Sequence, residues 1–219
     1  EIDGKTANIF EKMKFINTMD SAKYLFLPTK IPEPGVQEIY LERKIESLYN
    51  DRRMSDFKKQ LNIDEISCKK LKHKLFELQK RIYDLDKYGE MNWQISFGTI
   101  DNFWLKIEQK IAEFGINDEQ IKNLLLTMKQ YLNFERLARQ GRFVTEIDID
   151  NFYDHKICDV QLQREIILLT THASFNNIFS EAWKLYDKIS EVGDDLDDIA
   201  EDFENFNCNR FLIHSAQYN

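Results

Sequence analysis

Leu71, Leu75, Leu78, Ile82 and Leu85 recur at intervals of four, three, four and three residues. Apolar side chains at that spacing line one stripe of an α-helix and form a coiled-coil-like seam. Asp64 stands where an N-cap belongs, and Gly89 lies just past an expected end near Tyr88. Helical spacing of this kind extends over most of the chain. With only 7 glycines and 3 prolines in 219 residues, sheet folds rich in turns are disfavoured, and long helices with short loops are expected. The predicted class is all-α, a single-domain antiparallel helical bundle over residues 1–219. The chain begins at Glu1 without a methionine, which is consistent with missing native N-terminal residues.

A first amphipathic segment covers residues 6–24, and the prolines between 28 and 34 break it. Helical pattern resumes at Val36 and runs to about Leu61, with a break expected near residues 50–53. After the seam helix, residues 89–98 read as a loop. Thr99 caps a helix through Phe114 that Gly115 ends, and Asn117 caps the next. Gly141 interrupts, alternation over 144–149 suggests one short strand, and helices are expected over 148–172 and 176–206.

Charge is unevenly placed. Residues 41–90 hold 13 basic against 10 acidic side chains, whereas residues 141–204 hold 5 against 16. A nucleic acid would be repelled by the second stretch, so no nucleic-acid partner is expected. The run at 69–74 (KKLKHK) reads as a solvated helix face. No apolar run is long enough to span a bilayer, and the three cysteines are odd in number and far apart, without a CxxC pair. A cytoplasmic, reducing location is the expectation.

The densest chemistry lies near the C-terminus. Asp194, Asp195, Asp197, Asp198, Glu201 and Asp202 stand between Glu191 and Glu204 with no Lys or Arg among them. Leu185, Ile189, Val192, Leu196, Ile199, Phe203 and Phe206 form an apolar seam, expected to face the core. Asp194 lies opposite, with Asp187, Glu191, Asp198 and Glu201 nearby. A solvated acidic back explains the pattern in part, but like charges one turn apart destabilise a helix. A divalent cation would relieve the repulsion: Asp194 and Asp198, or Asp198 and Asp202, are spaced to share one Mg²⁺, whose shell substrate phosphates could complete. Asp150 and Asp154 form a second such pair, although acidic residues also favour a helix N-terminus without any ligand. Lys156 and Arg164, with Arg136, Arg139 and Arg142, are candidate cations for a diphosphate. The four histidines are scattered, and no nucleophile elbow or Gly-rich phosphate loop occurs.

The run Asp194-Asp195-Leu196-Asp197-Asp198 resembles the DDxxD motif of the class I terpenoid synthase and prenyl diphosphate synthase superfamily, and 176–184 resembles its second metal motif, with Asn176 and Ser180 in ligand positions. Lys184 stands where that second motif ends in a carboxylate, and the motif order is reversed. The preferred assignment therefore takes Asp150 and Asp154 as the first metal helix and Asp194, Asp195 and Asp198 as the second. The resemblance spans about the last 70 residues. It implies a Mg²⁺-dependent enzyme, a lyase or transferase, that ionises an isoprenyl diphosphate for cyclisation or prenyl transfer. Asp194, Asp195 and Asp198 would be catalytic, and Asp150, Asp154, Asp194, Asp198 and Asp202 would hold metal. Lys156, Arg164 and Arg210 would bind the diphosphate. A homo-oligomer is compatible with this reading. Two others compete with it: a non-enzymatic helical interaction or regulatory protein, and an all-α nucleotide pyrophosphatase.

Overall fold

The computed structural model describes residues 34–91, 97–116, 119–139, 151–174, 176–205 and 207–218. The segment 6–24, the alternation at 144–149, Asn117, Asp150 and Arg142 lie outside them, and the side chains of Arg136 and Arg139 are likewise not described. Ten helices order the described residues: α1 Pro34–Asp51, α2 Met54–Gln60, α3 Glu65–Met91, α4 Phe97–Ala112, α5 Glu119–Arg139, α6 Phe152–Lys156, α7 Cys158–Thr171, α8 Asn177–Asp197, α9 Ile199–Asn205 and α10 Arg210–Tyr218. Among those residues there is no strand. The fold is all-α.

The seam helix starts as its sequence predicts. Asp64 Oδ1 accepts from the backbone N–H of Ile66 (3.0 Å) and of Ser67 (2.9 Å), satisfying two of the amides a helix start leaves unpaired. Its end differs from expectation, since the helix runs through Gly89 to Met91; one interior glycine costs only about 1 kcal/mol relative to alanine. Leu71, Leu75, Leu78, Ile82 and Leu85 are all buried, packed with Trp104 and Ile107 of α4, Met128 of α5 and Leu162 of α7. The stripe is thus the core of this chain, and each fully buried leucine stabilises it by about 1.5–3 kcal/mol. A smaller cluster of Phe152, Cys208 and Ile213 packs with Tyr131, Phe134 and Tyr153.

The helix breaks follow local backbone geometry. Between α1 and α2, where a break is expected, Arg53 adopts a left-handed conformation (φ 50°). The predicted helix over 148–172 is divided at Ile157 into α6 and α7 and ends on left-handed His172 (φ 52°). The predicted helix over 176–206 divides at Asp198 into α8 and α9. α4 begins at Phe97, before the predicted cap Thr99, and ends at Ala112; Gly115 (φ 72°) supplies the turn that follows.

The largest departure concerns α8. Its periodicity is as read, but its orientation is inverted. Trp183, Asp187, Glu191 and Asp195, spaced four apart, face inward, and Asp187 and Asp195 are both 0% exposed. Much of the apolar seam expected in the core faces outward: Leu185 is 58% exposed, Ile189 61% and Leu196 51%, while Val192, Ile199 and Phe203 are half-buried. A carboxylate is buried only against compensating charge. The reason for the inversion must therefore lie in what those carboxylates meet.

Candidate functional site: a buried charge network beneath an inverted helix

Three cations meet the inward face of α8. Arg164, on α7, grips Asp187 with two parallel bonds, Nε to Oδ2 at 2.9 Å and Nη2 to Oδ1 at 2.7 Å. This bidentate geometry is the strongest an arginine can make with a carboxylate. Gln161 Nε2 adds a third donor to Asp187 at 2.5 Å. The guanidinium of Arg164 also lies over the rings of Phe57 and Trp183, 4.7 and 4.4 Å from their centroids, and donates to the Arg52 carbonyl at 2.8 Å.

Arg52 comes from the break between α1 and α2 and is almost fully buried. Its Nη2 donates to Glu191 Oε1 and, at 2.8 Å, to Asp194 Oδ2, while Nη1 reaches the Asp187 carbonyl at 3.4 Å. Lys156, at the end of α6, donates to Asp195 Oδ1 and lies 3.5 Å from Glu191 Oε2. The other oxygen of Asp195 accepts from the Tyr153 hydroxyl (3.0 Å) and the backbone N–H of Arg210 (3.1 Å). Asn209 Nδ2 donates to the Asp195 carbonyl (2.7 Å) and to Asp202 Oδ2 (2.8 Å), which ties α9 and α10 to the end of α8.

Electrostatics across the network are uneven. Burial pushes the Glu191 carboxyl up to about 7, although Lys156 and Arg52 pull the other way. Burial lowers and the carboxylates of Glu191 and Asp195 raise the affinity of Lys156 for its proton, with a net rise. Asp154 is held below the usual carboxylate range: partial burial opposes this, but Lys184 and Lys188, each within 2.8 Å of Oδ1, outweigh it. Asp198 is pushed up by desolvation and by the like charges of Asp202, Glu201 and Asp194.

The two acidic helices singled out in the sequence do meet, since α6 packs against α8. They meet through lysines. Asp154 faces Lys184 and Lys188 of α8, and Asp195 of α8 faces Lys156 of α6. Of the residues expected to hold Mg²⁺, Asp194 accepts from Arg52, and Asp202 accepts from Asn207 (3.2 Å) and Asn209. Asp195, expected to be catalytic, has both oxygens engaged. Of those expected to bind diphosphate, half-buried Lys156 pairs with Asp195, Arg164 is buried against Asp187, and Arg210 lies over the Tyr153 ring at 5.9 Å. Among the described residues, no three His, Cys, Asp or Glu side chains converge as a metal-binding group. Ammonium and guanidinium groups thus pair with Asp154, Asp194 and Asp195, whereas Asp202 is held by neutral amides and Asp198 lies among like charges.

Sequence reasoning missed Arg52, Tyr153 and Gln161, and placed Asp187 and Glu191 on a solvated back. The signal present was the four-residue ladder Trp183, Asp187, Glu191, Asp195, an aromatic residue in line with three carboxylates. Among the described residues, no helix is long and apolar enough to cross a membrane. No family model, curated protein or solved structure matches the chain.

Proposed function

We propose that this chain is a helical docking protein that presents the outward stripe of α8 to an amphipathic helix. The observation that carries this reading is the inversion itself. Ile178, Ala182, Leu185, Ile189, Val192 and Leu196 follow one another at intervals of four, three, four, three and four residues. All are exposed except Val192, which is half-buried. This is the spacing at which two helices interlock side chains. Exposed apolar residues scattered singly need no explanation, but a contiguous stripe over five turns marks a contact surface. The ion pairs beneath fix the rotation of α8 and hence the aim of the stripe, a specificity role that buried polar groups serve in some helical assemblies.

A labelled peptide with leucines at both seam positions and flanking lysines tests the proposal by fluorescence anisotropy. It is expected to bind the full chain, and Leu185→Glu with Ile189→Glu should weaken binding about tenfold or more at unchanged helicity. Equal responses from the two proteins would sink the docking reading. A parallel assay bears on the isoprenoid expectation: with Mg²⁺ and a panel of prenyl diphosphates, no pyrophosphate release is expected, and release would favour the isoprenoid reading over docking.

A further inference from the structure

Away from α8, the turn between α2 and α3 meets the ends of α4 and α7 around a cleft. We propose that this cleft binds a small amphipathic anion, a phosphate or carboxylate group on a short apolar body, with Lys70 and Lys74 holding the charged group.

The shape comes first. The cleft has a volume of about 600 Å³, inside the range of about 300–1,000 Å³ typical of small-molecule pockets. Ser67, Lys70, Leu71 and Lys74 enter it from one face of α3, at the three- and four-residue spacing that stacks side chains along a helix. Leu61 and Ile63, before α3, and Phe114, beyond α4, add apolar wall. Leu71 is buried and the other three are half-buried, so an apolar body laid there would leave water. A bare inorganic anion would gain nothing from that surface.

The cations come next. Lys70 and Lys74 are one turn apart, a like-charge spacing that disfavours a helix. Their neighbour Lys69 is paired with Glu65 at 2.9 Å. Among the described residues, neither Lys70 nor Lys74 has a carboxylate within ion-pair distance. Lys74 is nevertheless held in place: its ammonium donates to the Glu113 carbonyl at 2.7 Å and stands over the Phe114 ring, 5.4 Å from the centroid. An ammonium has three hydrogens, so donors remain for a ligand. A cation already fixed beside an apolar wall loses less freedom on binding.

Asp64 is the one opposing charge on the lining. Its carboxyl is engaged by the Ser67 hydroxyl and by the backbone N–H groups of Ser67 and Ile66, so it serves the start of α3. Two cations against one carboxylate leave the cleft net positive. Thr170, in the last turn of α7, also lines it, and among the described residues its hydroxyl has no internal partner and is free to donate. The carbonyl end of α7 disfavours negative charge, which puts the charged group on the α3 side. Two lysines of the 69–74 run, whose pattern reads as a solvated face, thus border an apolar recess instead.

Titration calorimetry on the full chain tests this with hexyl phosphate and hexanoate as probes, and with inorganic phosphate and hexanol as their separate halves. At least one of the two amphipathic probes is expected to bind about tenfold or more tightly than either half. Lys70→Gln with Lys74→Gln should weaken that binding about tenfold at unchanged helicity. Thr170→Trp, which keeps both lysines and fills the cleft, should weaken it as much. Leu185→Glu with Ile189→Glu should leave it unchanged, because the stripe on α8 shares no residue with the cleft. Four results would overturn the proposal. Neither amphipathic probe binds; one half binds as tightly as the whole; the lysine and tryptophan variants bind like the parent; or the α8 variant loses binding, which would move the ligand to the stripe.

Discussion

Replacing Arg164 by leucine is expected to cost about 3–5 kcal/mol, the range for breaking a buried ion pair by removing one partner. A typical domain has only about 5–15 kcal/mol in total. Asp187 is fully buried, and Arg164 supplies two of the donors that make its charge tolerable. Gln161 remains, but a neutral amide does not neutralise a carboxylate. The same change removes the guanidinium that lies over the rings of Phe57 and Trp183 and donates to the backbone carbonyl of Arg52. Urea denaturation followed by circular dichroism measures the loss. Adding Asp187→Leu should recover much of it, because the cost comes from an unpaired charge and two apolar side chains leave none. A loss below about 1 kcal/mol for the single variant would mean that the pair does not hold α8 in place.

Glu191 should make the chain less stable at pH 8 than at pH 5.5. Its carboxyl titrates near 7 in the fold against about 4.3 in an unfolded chain. Between those values the folded state binds the proton more tightly, so unfolding free energy falls as pH rises through the window and levels off above 7. Its contribution is fully present below about 4.3 and amounts to about 3–4 kcal/mol. The groups that act on it are Lys156 and Arg52, which favour the charged form, and Asp159 and Asp194, which oppose it. Asp154, with its carboxyl held low, works in the opposite sense in more acidic solution, losing stability as pH falls through its folded value. From these two groups, maximum stability is expected near pH 4, between the window of Asp154 and that of Glu191. Glu191→Gln should flatten the dependence and raise the thermal midpoint at pH 8, at roughly 2–4 °C per kcal/mol for a chain of this size. Parallel pH profiles of the two proteins would sink this assignment.

The fold class and the α8 inversion were not equally legible. The seam from Leu71 to Leu85 could be read directly, because a residue's burial there follows from its own type and spacing. Arg53 and His172 take a left-handed conformation that glycine and asparagine signal far better, yet both breaks fall where the sequence places them; the divisions at Ile157 and Asp198 are the ones it does not mark. For α8, periodicity separated two faces correctly and could not say which one packs inward. That choice belongs to Arg52, Lys156 and Arg164, which lie outside α8 and whose pairing with it no local pattern signals. Asp194 and Asp195 looked unrelieved because their countercharges, Arg52 and Lys156, lie outside α8. Where carboxylates crowd without local lysines, a cation from elsewhere in the same chain explains the crowding as well as a metal does.

The span of those contacts also bears on the order of folding. Arg52 bonds to groups 135, 139 and 142 positions further along the chain, and Arg164 reaches back 112 positions to the Arg52 carbonyl. Contacts of such separation carry a large closure entropy and form after local helices are in place. α8 then settles late, and disturbing its anchors should accelerate unfolding far more than it slows folding. Until that last step the apolar stripe has no fixed aim, so the docking surface proposed for it would be offered only by molecules that have finished folding.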